Sequence, residues 1–506
     1  MIESKILLIK DLADIICTLK SKNKRIVLCH GVFDLLHIGH IRYLREAKSH
    51  GDILVVTCTP DRFVDKGPNR PAFDEKLRVE ALAALDVVDY AAINEWATAE
   101  ETLRSIRPDV YVKGREFENL EDPTGKISRE AAVVEEIGAQ IAFAGDIVFS
   151  STNLINRYLS NLSQDLQEYL KIFREHYDLD YFTAMLDAMG KLKVLVLGDT
   201  IIDEYQYCSV IGKSSKDPIL AVKAQSKDTF AGGVLAVANH VANFAQEVCM
   251  ITILGDQPRY EDFIAANINP KIQAEYLTKY NSTTTVKRRI VEGYSFTKLI
   301  EVYELDETPL PSDFDALLCR KLKSIMPNYD LVLVADFGHG AISRSMISTI
   351  CEHAPYLAIN TQANAGNRGF HTISKYSHAD FVSLAEHEIR LDMRDTVGNL
   401  RPMMEHHATR MGSKNFVTTM GRQGCAVLAD GGAFAKVPSF VSNVVDRVGA
   451  GDAFLSVAAM ASRVGAKPEA IGFIGNTVGS LAVSYIGNQT SIGPIAVLNY
   501  LKSLLK

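Results

Sequence analysis

Arg25-Ile-Val-Leu-Cys29-His30-Gly31-Val-Phe33-Asp34-Leu-Leu-His37-Ile-Gly39-His40 is the stretch that decides the fold of the front of this chain. An apolar run reads as a β-strand, a glycine-containing turn follows, and a helix opens just after two histidines separated by two residues. That order sets two imidazoles and the free N–H groups of a helix start around one anionic site. Such a site suits nucleotidyl transfer, in which charge builds on the α-phosphate and positioned donors supply most of the catalysis. His-x-Gly-His alone would read as surface histidines in a turn. The strand, turn and helix start around it make the phosphate site the better reading.

Outward from this stretch, strand and helix patterns alternate. Ile41–Ser49 reads as a helix, Asp52–Thr57 as a strand, Glu75–Leu85 as a helix, Tyr90–Ile93 as a strand, Ala99–Ile106 as a helix and Val110–Val112 as a strand. Alternation of this kind predicts βαβ units and a parallel sheet. Asp34 lies in the turn, placed to orient a histidine or the loop itself. Lys48 and Lys113 are candidates to reach phosphate, although each alone would read as a solvated surface charge. Ser150-Ser151-Thr152 precedes a predicted helix start, where hydroxyls cap the helix and its amides can also bind a triphosphate.

Apolar positions at three- and four-residue spacing (Leu159, Leu162, Leu166, Tyr169, Leu170, Phe173) predict a helical connector over 159–190. A second α/β run starts at Lys193-Val-Leu-Val-Leu-Gly198. The expected organisation is therefore a domain over 1–158, the connector, and a larger domain over 191–506, each a three-layer α/β fold on a parallel sheet. In the second, Asp446-Arg-Val-Gly449-Ala450-Gly451-Asp452-Ala-Phe is the strongest local signal. Glycines at a helix N-terminus expose amides to a transferring phosphoryl group, and Asp452 can take the proton of an attacking hydroxyl. The bland alternative is a glycine-rich turn capped by aspartate.

Residues 24–158 resemble the cytidylyltransferase-like family. Within it, Gly31-Val-Phe-Asp34, Leu44-Arg-Glu-Ala-Lys48-Ser-His-Gly51-Asp52, Arg70-Pro71, Val112-Lys113-Gly114 and Ser150-Ser151-Thr152 are most similar to the adenylyltransferase domain of bifunctional ADP-heptose synthases. The resemblance implies a Rossmann-like domain in which His37 and His40 are catalytic. Nucleotide contacts would come from Gly31, Phe33, Asp34, Lys48, Lys113, Ser151 and Thr152. The Ala144-Gly-Asp-Ile-Val-Phe149 stretch lacks the arginine that glycerol-phosphate cytidylyltransferases carry before the Ser/Thr pair, which favours the sugar-phosphate branch.

Residues 193–500 resemble the ribokinase-like carbohydrate kinases. By that resemblance Asp203, Gly232 and Gly233 face the sugar, and Thr419, Gly421 and Gly424 bind nucleotide. Gly449, Ala450 and Gly451 would form the anion hole, and Asp452 is the base. Asp336-Phe-Gly338-His-Gly340 and Lys213-Ser-Ser-Lys216-Asp-Pro218 resemble heptose-kinase segments. Departures lie in the sugar-facing shell: Val234-Leu235-Ala236 lacks the family's asparagine, Asn360-Thr-Gln362 stands for Asp-Pro-Lys, Ala385-Glu386-His-Glu388 for Asn-x-x-Glu, and Arg447 for threonine. The transferase half leads here, whereas fused heptose enzymes usually place the kinase first.

Together these readings predict a bifunctional sugar kinase and sugar-1-phosphate nucleotidyltransferase, making an ADP-heptose-like nucleotide sugar with ATP, a second NTP (ATP or CTP) and Mg²⁺. Alternatives are a kinase/cytidylyltransferase acting on another sugar or polyol phosphate, or a sugar sensor with a degenerate kinase half. No metal ligand is assigned. A net charge of −7 over 506 residues gives no reason to expect nucleic acid as a partner, so sugar phosphates and NTPs are the expected ones. No apolar run reaches the roughly 18 residues of a membrane span, and the start lacks a signal-peptide pattern. The eight scattered cysteines fit reduced thiols in the cytoplasm. Alternating patterns at Asp217–Ala224 and Lys287–Glu301 fit a lid through which ribokinase-like folds pair, so a homodimer is expected by fold analogy.

Overall fold

The computed structural model describes residues 3–64, 70–118, 125–145, 163–441 and 444–505. Ser151 and Thr152 lie outside them. The chain forms two compact units, Met1–Leu162 with Asn499–Lys506, and Ser163–Leu498. Among the described residues no helix is long and apolar enough to cross a membrane.

The first unit is built on five parallel strands, β1 (Ile26–Gly31), β2 (Ile53–Cys58), β3 (Tyr90–Ile93), β4 (Val110–Gly114) and β5 (Gln140–Ala144), in the order β3-β2-β1-β4-β5. Both faces are covered, which is why the strands read as unbroken apolar runs rather than alternating ones. Val27, Cys29, Leu54 and Val56 face one core with Leu44, Val79 and Leu82. Ile26, Leu28, Val55 and Tyr111 face the other with Leu12, Ile16 and Leu103. Strand order reverses direction at β1, and crevices at such a switch point are where open α/β sheets bind ligands. The His30–His40 stretch leaves β1 there.

The second unit carries twelve strands: β6 (Lys193–Lys213), β7 (Leu220–Gly233), β8 (Glu247–Gly255), β9 (Ile272–Lys279), β10 (Thr285–Glu292), β11 (Thr297–Glu304), β12 (Leu331–Asp336), β13 (Leu357–Thr361), β14 (Phe381–Ala385), β15 (Asn415–Thr419), β16 (Cys425–Ala429) and β17 (Phe434–Val437). A parallel sheet runs β9-β8-β6-β12-β13-β14-β15 and ends in antiparallel β16 and β17. β6 serves two sheets. Its first seven residues pair with β8 and the five from Val194 to Gly198 with β12; it pairs with β7 from Thr200 onward and with β10 from Ile201, and β11 closes that outer sheet. The outer sheet leaves Ile211, Leu220 and Ile300 more than half exposed.

The expected connector takes another role. Its helices, Gln164–Phe173 and Leu179–Met189, belong to the second unit, which therefore begins ahead of residue 191. Phe173 is buried and stacks on Phe473 at 4.0 Å between ring centroids, with Tyr177 at 4.5 Å on Phe173. A buried aromatic of this kind contributes about 2–3 kcal/mol, so the segment is part of the core rather than a tether.

Candidate active sites

His37 is the N-cap of the helix Ile38–Lys48, and its Nδ1 accepts from the Gly39 N–H at 3.0 Å. Because Nδ1 is the acceptor, the neutral ring carries its hydrogen on Nε2. Nε2 is buried and has no hydrogen-bond partner among the described residues, and burial pushes the ring below the usual imidazole range. The outcome is a neutral donor held ready for an oxygen. His40 follows one turn on, its ring 4.0 Å from that of His37 and edge-on to Phe33 at 5.4 Å. Phe33 holds a left-handed φ of 48°, a conformation rare for a bulky residue and typical of constrained sites. Gly31 ends β1, and a Cβ there would lie 3.2 Å from the Phe33 ring. The two histidines, Gly31 and Phe33 are thus brought together.

Three other predicted residues face elsewhere. Asp34 is buried and pairs with Arg70 Nε at 2.5 Å while accepting from the Ala72 N–H; it orients the loop, not a histidine. Lys48 ends its helix, about 12 Å along the axis from His40 at 1.5 Å per residue. It bonds the Asp89 carboxylate and the Asp52 carbonyl instead. The expectation that it reaches phosphate is corrected by the direction of the helix. Lys113 stands at the same end of the sheet as the histidines, but its ammonium is 2.9 Å from buried Glu130. Burial would raise Glu130; Lys113 and His30 hold it below the usual carboxylate range. His30 itself is floor, bonded to Thr57 and Thr59 and pushed by burial down to about 4.

In the second unit, Asp203 sits on β6 where that strand passes from one sheet to the other. It is buried, and Arg289 Nη1 lies 2.5 Å from it. On β7, Gly232 stands opposite Ile201, two positions from the Asp203 partner Phe230, and a Cβ at Gly232 would fall 2.1 Å from Asp203 Oδ2. Only glycine lets the strand pass that carboxylate. Gly233 caps the next helix, Val234–Phe244. Val234, Leu235 and Ala236 are buried in the core, so none replaces the missing asparagine.

Gly449 takes a φ of +83° as N-cap of the helix Ala450–Arg463, and a Cβ there would strike Asn488 Oδ1 at 2.1 Å. Gly451 has open space where a side chain would stand. The amides of this first turn have no helical acceptor. Asp452 lies within it, and burial, with Asp203 and Glu388 adding repulsion against the attraction of Lys287, pushes its carboxyl up to about 7. Glu388, accepting from the Ala363 and Ala385 N–H groups, is likewise raised by burial to about 7. Thr419 ends β15, and Gly421 and Gly424 bracket a single 3-10 turn. Asp336, in a segment noted from sequence, is fully buried beneath Tyr376 and Lys375, each 2.6 Å away.

Lys287 was missed. It is 6% exposed on β10, and its ammonium lies 5.4 Å from the Tyr303 ring and 5.8 Å from that of Phe337. Among the described residues no carboxylate comes within 4.0 Å of it, and desolvation lowers its pKa. A cation buried in this way points to an anionic guest. Its only sequence signal was the alternation Lys287-Arg-Arg289, which puts both charges on one face of a strand.

A model of the pfkB family carbohydrate kinases matches residues 191–494, and a cytidylyltransferase-like model matches 28–157. The bifunctional protein HldE of Geobacter metallireducens is 38% identical over 160 residues, 31% of this chain and 31% of that protein. HldE of Syntrophotalea carbinolica is 35% identical over 166 residues, 32% of each. The matched stretch thus spans about a third of these relatives. Phosphofructokinase-2 from Escherichia coli, solved with substrates and products, superposes with a TM-score of 0.51 at 12% identity, covering 62% of this chain and all of that one. With fructose-6-phosphate the same enzyme gives 0.50 at 12%, with the same coverage. At that identity the likeness is one of fold. Since the first model spans more than half of its length, the chain belongs to the pfkB family of carbohydrate kinases, with a cytidylyltransferase-like unit ahead of the kinase fold.

Proposed function

We propose that this chain is a bifunctional enzyme that phosphorylates a sugar or sugar phosphate and transfers a nucleotidyl group onto a sugar 1-phosphate, yielding an ADP-heptose-like nucleotide sugar. The observation that carries the reading is Asp452, a carboxyl raised to about 7 on the first turn of a helix whose N-cap is Gly449 and which has no side-chain cap. In the kinase step Asp452 takes the proton of a sugar hydroxyl held by Asp203. That oxygen attacks the γ-phosphorus of ATP, ADP leaves, and the amides of Gly449, Ala450 and Gly451 receive the equatorial charge. In the transferase step a sugar-phosphate oxygen attacks the α-phosphorus and pyrophosphate leaves. His37 Nε2–H and the His40 ring donate to the oxygens on which charge develops.

No group of three or more metal-binding side chains occurs among the described residues. Mg²⁺ is held largely by nucleotide phosphates and water with one or two carboxylates; Glu388 is the carboxylate that would face it, leaving Asp452 free as the base. Bound there, the ion neutralises phosphate charge. We further infer a cytoplasmic homodimer in which the exposed apolar residues of the outer sheet, Ile211, Leu220 and Ile300, are covered by a second copy.

The test incubates the full chain with ATP, CTP and a panel of sugars and sugar phosphates, and identifies products by mass spectrometry. Pyrophosphate exchange is run in parallel with each NTP. An ADP-linked heptose-like product is expected. A CDP-linked product would move the reading to another sugar or polyol, and sugar binding without turnover would make the kinase half a sensor.

A further inference from the structure

Asp446 opens the glycine loop and is 4% exposed, yet four donors converge on it. Lys298 Nζ lies 2.6 Å from Oδ1, and the Val448 N–H reaches the same oxygen at 3.2 Å. The Tyr205 hydroxyl donates to Oδ2 at 2.6 Å, and the Gly487 N–H at 3.0 Å. Burial would raise the carboxyl; the hydrogen bonds of Lys298 and Tyr205 prevail and keep it below the usual carboxylate range. Among these donors only Lys298 brings a full charge. It comes from β11, 148 residues earlier in the chain, on the outer sheet. Its ammonium lies 5.1 Å from the Tyr205 ring and 5.9 Å from that of Phe296. The Arg289 guanidinium, bonded to Asp203, lies 5.6 Å from the Tyr205 ring as well. A continuous set of contacts thus joins the sugar carboxylate, the outer sheet and the loop that forms the anion hole.

We propose that Lys298 is a positioning residue for phosphoryl transfer: its ammonium is the counter-charge that fixes Asp446 and, through it, the shape of the loop Arg447–Gly451. The proposal rests on the kinase reading above. A buried carboxylate that loses its one full counter-charge must take up a proton or draw in water. Either change weakens its hold on the Val448 N–H, and the amides next in the chain lose their alignment. A misplacement of about 1 Å can cost on the order of 100-fold in rate. Lys298 bears on the reacting groups through Asp446, while Asp203, Arg289 and Gly232 keep their places. The expected signature is therefore a loss in kcat with the sugar KM preserved.

The test uses Lys298→Met and Lys298→Arg in the full chain, with steady-state kinetics and hydrogen–deuterium exchange. For Lys298→Met, kcat should fall about 10- to 100-fold while the sugar KM stays within about twofold, and exchange should quicken in peptides covering 446–452. Ammonium chloride should restore both, and tetramethylammonium chloride at equal ionic strength should not, being too large for the space left. Lys298→Arg should retain most activity. An unchanged kcat, an unchanged loop exchange, or exchange quickened uniformly across the unit with no rescue by ammonium would each overturn the proposal. The exchange measurement needs no turnover, so a wild-type chain that transfers no phosphate would sink the kinase reading while the loop claim stood or fell separately.

Discussion

In the first unit the buried imidazole of His37, proposed to meet phosphate, is held in its neutral form. His37 accepts from a backbone amide, is pushed by burial below the usual imidazole range, and stands beside His40 at a helix start. In the second unit the corresponding helix start carries an acid, Asp452, raised to about 7 by burial and by neighbouring carboxylates. In the proposed reactions both places would use the amides of a helix N-terminus to meet negative charge. They part over the proton. On the proposed function, a nucleophile that is already a phosphate oxygen needs no base, and donors alone would suffice; a sugar hydroxyl must be deprotonated, a task that a carboxylate tuned near neutrality would serve. Tool and substrate match, and the contrast can be attacked from both sides.

The largest effect should come from Asp452→Asn, which removes the base. Phosphoryl transfer should fall about 10²- to 10⁴-fold, while sugar binding by calorimetry and pyrophosphate exchange stay at wild-type levels. A parallel fall in exchange would mean that the two chemistries are not separable. Next, His37→Ala should lower pyrophosphate exchange by about 10²- to 10³-fold and leave phosphoryl transfer unchanged. A pH series sharpens the contrast. The base works deprotonated, so phosphoryl transfer should climb as pH rises through about 7 and level off above it. Exchange should stay flat from neutrality upward, because an imidazole held below its usual range is uncharged throughout. Gly232→Ala, which drives a methyl against Asp203, should cost on the order of tenfold in kcat/KM for the sugar. The smallest effect belongs to Lys48→Ala: exchange within about twofold and at most about 1 kcal/mol of stability, as for a half-exposed ion pair.

What could be read from the residues alone was what is local in the chain. The strand-turn-helix around His37 and His40 and the loop Gly449–Asp452 are each held within a dozen residues, so their chemistry is written in order. Lys48 was misplaced because sequence proximity hides direction: a helix that starts at the site carries its far end away from it. Lys113 was visible as a charge, but its partner Glu130 stands 17 residues on, on a helix whose facing side no motif marks. The contacts of Asp446 come from Lys298 and Tyr205, 148 and 241 residues distant. Only the fold brings them together. Spacing likewise gave a helical connector over 159–190 without telling that Phe173 would stack on Phe473.

β6 runs unbroken for 21 residues, Asp203 lies about midway along it, and its pairing with β7 shifts register twice beyond Gln206. A strand shared by two sheets transmits a load along its whole span, and the two shifts are where its outer half, paired with β7 and β10, bends most readily. A load on the outer end would therefore be passed along the strand to Asp203, the carboxylate proposed to hold the sugar. With the proposed pairing of two copies through the outer sheet, assembly and substrate affinity would share a lever, and a change far out on the strand would be felt as a change in grip.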